Sequence, residues 1–237
     1  MREPAASPIF STNRVELSLA RSDQMAKGAP CFLVVLAVCT AACSATQPVR
    51  VLSKGQSRVI ASIGGPYLPK GSPTVVIPYG TLGVMRGLSD NTTLVYNAHL
   101  LMAALGVAGL DIGASHRMRA QSGRTPEFTA LGQAYVFAGS GGIRVYPHLN
   151  VNASWRRGAA QLLYIGADAI AQFQGTPATL LTPLVGWQFP AGKHIAVQTE
   201  LKWLAANNST RHGIFEGESS IGGRGALGVQ FGFQWAR

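Results

Sequence analysis

This chain is short of charge, shorter still of acid, and has almost no cysteine. Only 13% of its 237 residues are charged, and 10 Asp and Glu face 20 Lys and Arg. Globular domains usually carry roughly a quarter charged residues, so an ordinary Lys/Glu-coated surface is excluded. Cysteine occurs at Cys31, Cys39 and Cys43 alone. That rules out a disulfide framework, a zinc site or a thiol nucleophile in the body of the chain. No apolar run reaches the ~20 residues of a membrane-spanning helix. Helical periodicity is absent too, although residues 100–110 are apolar enough to be argued either way.

What is present begins near the N-terminus, in Met25-Ala-Lys-Gly-Ala-Pro-Cys-Phe-Leu-Val-Val-Leu-Ala-Val-Cys-Thr-Ala-Ala-Cys43. Lys27 supplies a positive start, residues 32–38 an apolar core, and Ala41-Ala42 small residues before a cysteine. A secretory signal consists of those parts, with an apolar core of roughly 7–15 residues. The layout resembles a bacterial lipoprotein signal, which implies the lipoprotein-processing machinery as a partner and a lipid on Cys43. Cleavage elsewhere, as in a plain signal peptide, is the alternative. Thr40 stands where the lipoprotein pattern prefers leucine, and Val38 before Cys39 fits cleavage less well than Ala42 before Cys43.

Residues 1–24 precede a complete signal, so Met25 is the expected start and 1–24 a mis-assigned extension. The expected order is then a signal over 25–42, a lipidated tether over 43–56 and a single domain over 57–237. From residue 44 onward 16 Lys and Arg accompany 7 Asp and Glu. An exported chain rarely meets nucleic acid, so this basicity is not read as a nucleic-acid footprint. It points to outer-membrane lipid or lipopolysaccharide phosphate, or to a solvated basic rim.

The domain itself is written in alternation. Leu227, Val229, Phe231, Phe233 and Trp235 share one parity, and Gly228, Gln230, Gly232 and Gln234 the other. Val145, Leu149, Val151, Ala153 and Trp155 oppose Arg144, Tyr146, His148, Asn150, Asn152 and Ser154. Segments 161–174 and 194–204 repeat the pattern, with weaker versions over 57–65, 74–86, 92–105, 109–119, 127–138 and 179–190. Period two is the mark of a strand whose faces meet different surroundings. About ten strands, joined by Gly-rich turns such as Gly139-Ser-Gly-Gly142, define an all-β, antiparallel up-and-down barrel or a sandwich.

Two orientations compete. A soluble barrel turns its apolar face inward, whereas a transmembrane β-barrel turns it to lipid and fills its lumen with polar groups. The polar faces here are rich in Gly, Asn, Gln, Ser and Tyr but poor in Lys and Glu, and Trp155, Trp187, Trp203 and Trp235 stand at strand ends. Ser89-Asp-Asn-Thr92, Arg156-Arg-Gly158 and Pro190-Ala-Gly-Lys193 are tight, while 66–73 and 205–224 are long. Short periplasmic turns and long outer loops are how membrane barrels are built. An even strand count then puts both chain ends on the periplasmic side.

With these turns, and the type seen at Arg86-Gly-Leu-Ser-Asp90, residues 57–237 resemble bacterial outer-membrane β-barrel proteins exported as lipoproteins. The resemblance is one of architecture. It implies lipid-anchored residence in the outer membrane and assembly by the barrel-assembly machinery. The usual terminal aromatic is displaced, since Ala236-Arg237 follows Trp235.

Inward-facing parity gathers Asp111, Arg117, Arg144, His148, Asp168, Glu200 and Lys202 in the lumen. A barrel of this size is filled by side chains, and charges inside must be paired. The expected role of the cluster is a salt-bridged plug. An ion or solute path along the same seam is the channel alternative, and a lipid-tethered, periplasm-facing soluble carrier is the third reading. Enzymatic activity is not expected. Ser115-His116 is the only adjacent Ser-His pair, and alternation throws its side chains to opposite faces, out of nucleophile–base contact. His212 with Glu216 and Glu218 reads as a solvated loop, and His99 and His194 as rim or strand histidines. Gly223-Arg-Gly-Ala-Leu-Gly228 matches a dinucleotide fingerprint but opens a strand where the motif needs a helix. No metal or cofactor is expected. The expected role is structural or surface-interacting, through loop 205–224.

Overall fold

In the computed structural model, residues 45–68, 75–76, 79–158, 161–173, 177–209 and 221–236 are described. All of them lie in the unit Ala41–Arg237. The strands are β1 (Ser57–Leu68), β2 (Val75–Val76), β3 (Tyr79–Ser89), β4 (Thr92–His99), β5 (Ala108–Arg119) and β6 (Glu127–Gly139). They continue with β7 (Gly142–Arg157), β8 (Gln161–Gln172), β9 (Ala178–Pro190), β10 (Ile195–Ser209) and β11 (Arg224–Ala236), and a helix α1 (Leu100–Ala104) joins β4 to β5.

Each strand from β3 onward pairs antiparallel with the next, β3 pairs with β1, and β11 returns to β1 from Arg58↔Ala236 to Pro66↔Gly228. The result is a closed ring of ten antiparallel strands, with two-residue β2 appended to β1. Among the described residues no helix is long and apolar enough to cross a membrane, a fact with no bearing on strands.

Alternation predicts these strands because burial alternates with it. Along β4 Thr93, Val95, Asn97 and His99 are buried; along β7 His148, Asn150, Asn152 and Ser154 are buried while Leu149 and Val151 are exposed. The ambiguous stretch 100–110 divides. Leu100-Leu-Met-Ala-Ala104 is composed of good helix formers and takes one helical turn, which buries Met102. Strand geometry resumes at Ala108.

The ring is inside out relative to a soluble barrel. Ile63, Leu82, Leu149, Ile165, Val185, Leu201 and Phe231 stand exposed on the outer face. The buried inner face carries Thr81, Thr93, Asn97, Asp111, Asn150, Gln198, Glu200, Lys202 and Gln230. Outside, Trp187 packs on Phe189 at 5.1 Å and Phe233 stacks on Trp235 at 6.1 Å, near the end where β1 begins.

We call that end the proximal mouth and the other the distal mouth. The tight Asp90–Asn91 and 191–194 connections are proximal; α1 and the two-residue Ser140–Gly141 turn, closed by Gly142 at φ 93°, are distal. The long segment 205–224 is shorter as a loop than its sequence suggests, since β10 runs on to Ser209.

Candidate functional site

The lumen is filled by the chain's own upstream segment. Residues 45–52, assigned by sequence to a tether outside the domain, run inside the ring, with Ala45, Gln47, Val49 and Leu52 all buried. The backbone is held by side chains of the wall. Gln47 N donates to Glu200 Oε1 at 2.9 Å, and Gln198 Nε2 donates to the Gln47 carbonyl at 2.8 Å. Lys202 Nζ donates to the Ala45 carbonyl at 3.1 Å, Thr129 Oγ1 to the Val49 carbonyl at 3.0 Å, and Leu52 N to Thr93 Oγ1 at 2.7 Å.

The polar backbone of a buried peptide needs partners, and here wall side chains supply them. Glycine makes room for it: a Cβ on Gly232 would lie 2.3 Å from Thr46 Oγ1. Past the plug, residues 53–56 turn under β3, where Gly87 N donates to the Gln56 carbonyl and Gly55 N to the Gly87 carbonyl, both at 2.9 Å.

Around the plug the inward charges meet at mid-height. Lys202 Nζ lies 3.3 Å from Asp168 Oδ2 and 3.1 Å from Glu200 Oε2, with its side chain wholly buried. Asp168 Oδ1 also pairs with His148 Nε2 at 3.2 Å and accepts from Asn150 Nδ2 at 2.7 Å. Glu200 Oε1 accepts from Tyr164 Oη and Gln198 Nε2, each at 2.8 Å. Tyr164 is itself accommodated by Gly186, where a Cβ would fall 2.1 Å from its ring. Two carboxylates sharing one ammonium, with further hydrogen-bond partners on the remaining oxygens, is the arrangement that makes buried charge tolerable.

Structure thus brings His148, Asp168, Glu200 and Lys202 together. Asp111 belongs to a neighbouring set: it pairs with His99 Nε2 and accepts from Asn97 Nδ2 at 3.3 Å. Tyr135 bridges the two sets, 6.0 Å from His99 and stacked 5.0 Å from His148. Arg117 and Arg144 lie apart from both. Arg117 sits at the proximal mouth, bonded to Asn91 Oδ1 and the Asp90 carbonyl, and Arg144 is exposed beside the distal turn. Sequence reading missed His99 as a lumen residue, although its parity with Val95 and Asn97 carries the signal.

Apolar groups close the spaces above and below. Met102 of α1 packs with Tyr135, Phe137 and Ile170 at the distal end. Nearer the proximal end, plug residue Leu52 packs with Met85, Val95 and Leu131, and Val49 with Tyr164 and Leu184.

A cavity of about 380 Å³ remains at the proximal mouth, over plug residues Val51-Leu52-Ser53. Arg50, Arg58, Arg117, Arg156 and Lys193 line it with the carboxylate of Glu127. Arg50 lies 3.6 Å from Glu127 and donates to Gln121 Oε1 at 2.6 Å. Its guanidinium is pushed below its ordinary range by burial, with Glu127 opposing and the like charges of Arg156 and Arg117 assisting.

Ser115 is buried and His116 exposed, bonded to Thr92, so that pair forms no nucleophile–base contact. His194 lines the proximal cavity. Among the described residues no group of three or more His, Cys, Asp or Glu is placed to hold a metal. Cys43, the signal 25–42, and His212, Glu216 and Glu218 lie outside the described residues. No family model matches the chain, and no curated protein matches it significantly, so the geometry alone carries the functional reading.

Proposed function

We propose that the protein is a bacterial outer-membrane β-barrel with a structural or surface-interaction role, its lumen sealed against conduction. One observation carries this reading: a closed ring presents Leu, Ile, Val, Phe and Trp outward and encloses a paired polar network. In water such an outer face is a large exposed apolar patch; in a bilayer it is solvated by lipid, and a closed ring leaves no unpaired strand edge there. The outward aromatics near the proximal mouth suit an interfacial girdle. The soluble-carrier alternative would have to expose this surface to water. The channel alternative would have to pass the plug, the Lys202 network and the Met102 cluster.

Lipidation at Cys43 belongs to the same proposal, with a geometric condition. Two residues span at most about 7 Å, and Ala45 is held in the lumen by Lys202. A lipid on Cys43 in the proximal leaflet therefore requires the first plug residues to leave the lumen.

The test is gel mobility of protein from outer-membrane fractions, boiled against unboiled. A heat-dependent shift is expected, because closed membrane barrels resist detergent. Identical bands together with release from membranes without detergent would overturn the reading in favour of a tethered carrier.

A further inference from the structure

We infer that the proximal cavity is a binding site for a small, multiply charged phosphate anion. Among the described residues its lining carries five permanent cations against the one carboxylate of Glu127. Three of the guanidiniums are held in place by neutral acceptors, which orient a cation without cancelling its charge. Arg58 donates to Gln234 Oε1 at 3.0 Å. Arg117 donates to Asn91 Oδ1 at 2.6 Å and to the Asp90 carbonyl at 2.7 Å. Arg50 donates to Gln121 Oε1 and to Ser154 Oγ at 3.3 Å, and shares Glu127. The other acid at this mouth, Asp90, accepts from the backbone N–H of Lys54. Cations gathered in a cleft with low-dielectric walls raise the local concentration of anions, and planar guanidiniums match phosphate oxygens in pairs.

Charge and size select the ligand. Five cations less one carboxylate leave an excess of four, close to the charge of a diphosphate, and a cavity of about 380 Å³ accepts a group of that size. An apolar ligand is disfavoured by the lining. The phosphate could arrive free in solution or on a phospholipid headgroup at the rim. This inference rests on the ring and the plug, not on residence in a membrane, so it can fail or hold independently of the proposed function.

The test is calorimetric titration of the folded, full-length protein with sodium pyrophosphate at low and at near-physiological ionic strength. Saturable binding is expected, weakening with salt. Arg58→Gln and Arg156→Gln should each weaken it by about tenfold, the lower end of what a hydrogen bond to a charged group contributes. Arg144→Gln, at the distal mouth, should leave it unchanged, and an unaltered β-sheet circular dichroism spectrum verifies that each variant retains its ring. Repeating the titration in phosphatidylcholine vesicles with and without cardiolipin, whose headgroup carries two phosphates, separates the sources. An Arg58-dependent loss of pyrophosphate affinity in the anionic vesicles assigns a lipid headgroup, and equal affinity assigns a free phosphate. No binding to the unaltered protein, or unaltered affinity in the Arg58→Gln/Arg156→Gln double variant, would overturn the site.

Discussion

Lys202 is the residue on which the lumen turns, since it links Asp168, Glu200 and the Ala45 carbonyl. Lys202→Met would leave two buried carboxylates facing each other across a methyl group. Breaking a buried pair by removing one partner costs about 3–5 kcal/mol, which should appear as a markedly lower temperature for the gel shift. Tyr164→Phe removes the hydrogen bond donated to Glu200 and the one accepted from Gln198 while keeping the ring packed on Gly186, and should cost about 1–2 kcal/mol. Equal effects of the two substitutions would argue against Lys202 as the centre. Parity in the sequence assigns these side chains to one face but says nothing of their height in the ring. Height follows from strand register, which is why Arg117 and Arg144 share a parity with Asp168 yet lie at opposite mouths. His99 was legible by the same parity, but its partner Asp111 depends on the pairing Ala98↔Leu110 across β4 and β5.

At the scale of elements, the strands were readable and the plug was not. Strand alternation is repeated over eight or more residues in β3 to β11, whereas 45–52 is short, polar at Gln47 and Arg50, and interrupted by Pro48. Nothing in such a stretch separates a solvated tether from a peptide whose carbonyls happen to meet Gln198, Thr129 and Lys202. The plug occupies the proximal half of the lumen and the Met102 cluster the distal end. Deletion of residues 45–52 combined with Met102→Ala is therefore expected to give ion current across a planar bilayer, where the unaltered chain gives none. A silent double variant that still shows the heat-dependent shift would mean that the wall side chains close the pore unaided. Gly232→Val is a milder probe: its side chain collides with Thr46, so the shift temperature should fall while the ring still closes.

For the whole molecule, the outward face decides between lipid and water. Leu149, at 53% exposure on β7, points away from the lumen near the middle of the strand. In a membrane, Leu149→Arg should cost about 2–4 kcal/mol and sharply reduce the amount of folded protein recovered from outer membranes. In a water-soluble barrel the same change would be harmless or would improve solubility.

The seam between β1 and β11 joins the first strand of the ring to the last, and the plug lies immediately upstream of β1. A finished hoop could take in that segment only by threading its free end through a mouth already crowded by arginines or by Met102. A hoop still open along β1 and β11 can wrap it from the side. Pairing the two ends closes the largest loop in the ring and carries the largest closure entropy, so the connectivity predicts that the stopper is laid in first and that the last zipper of backbone hydrogen bonds locks it there.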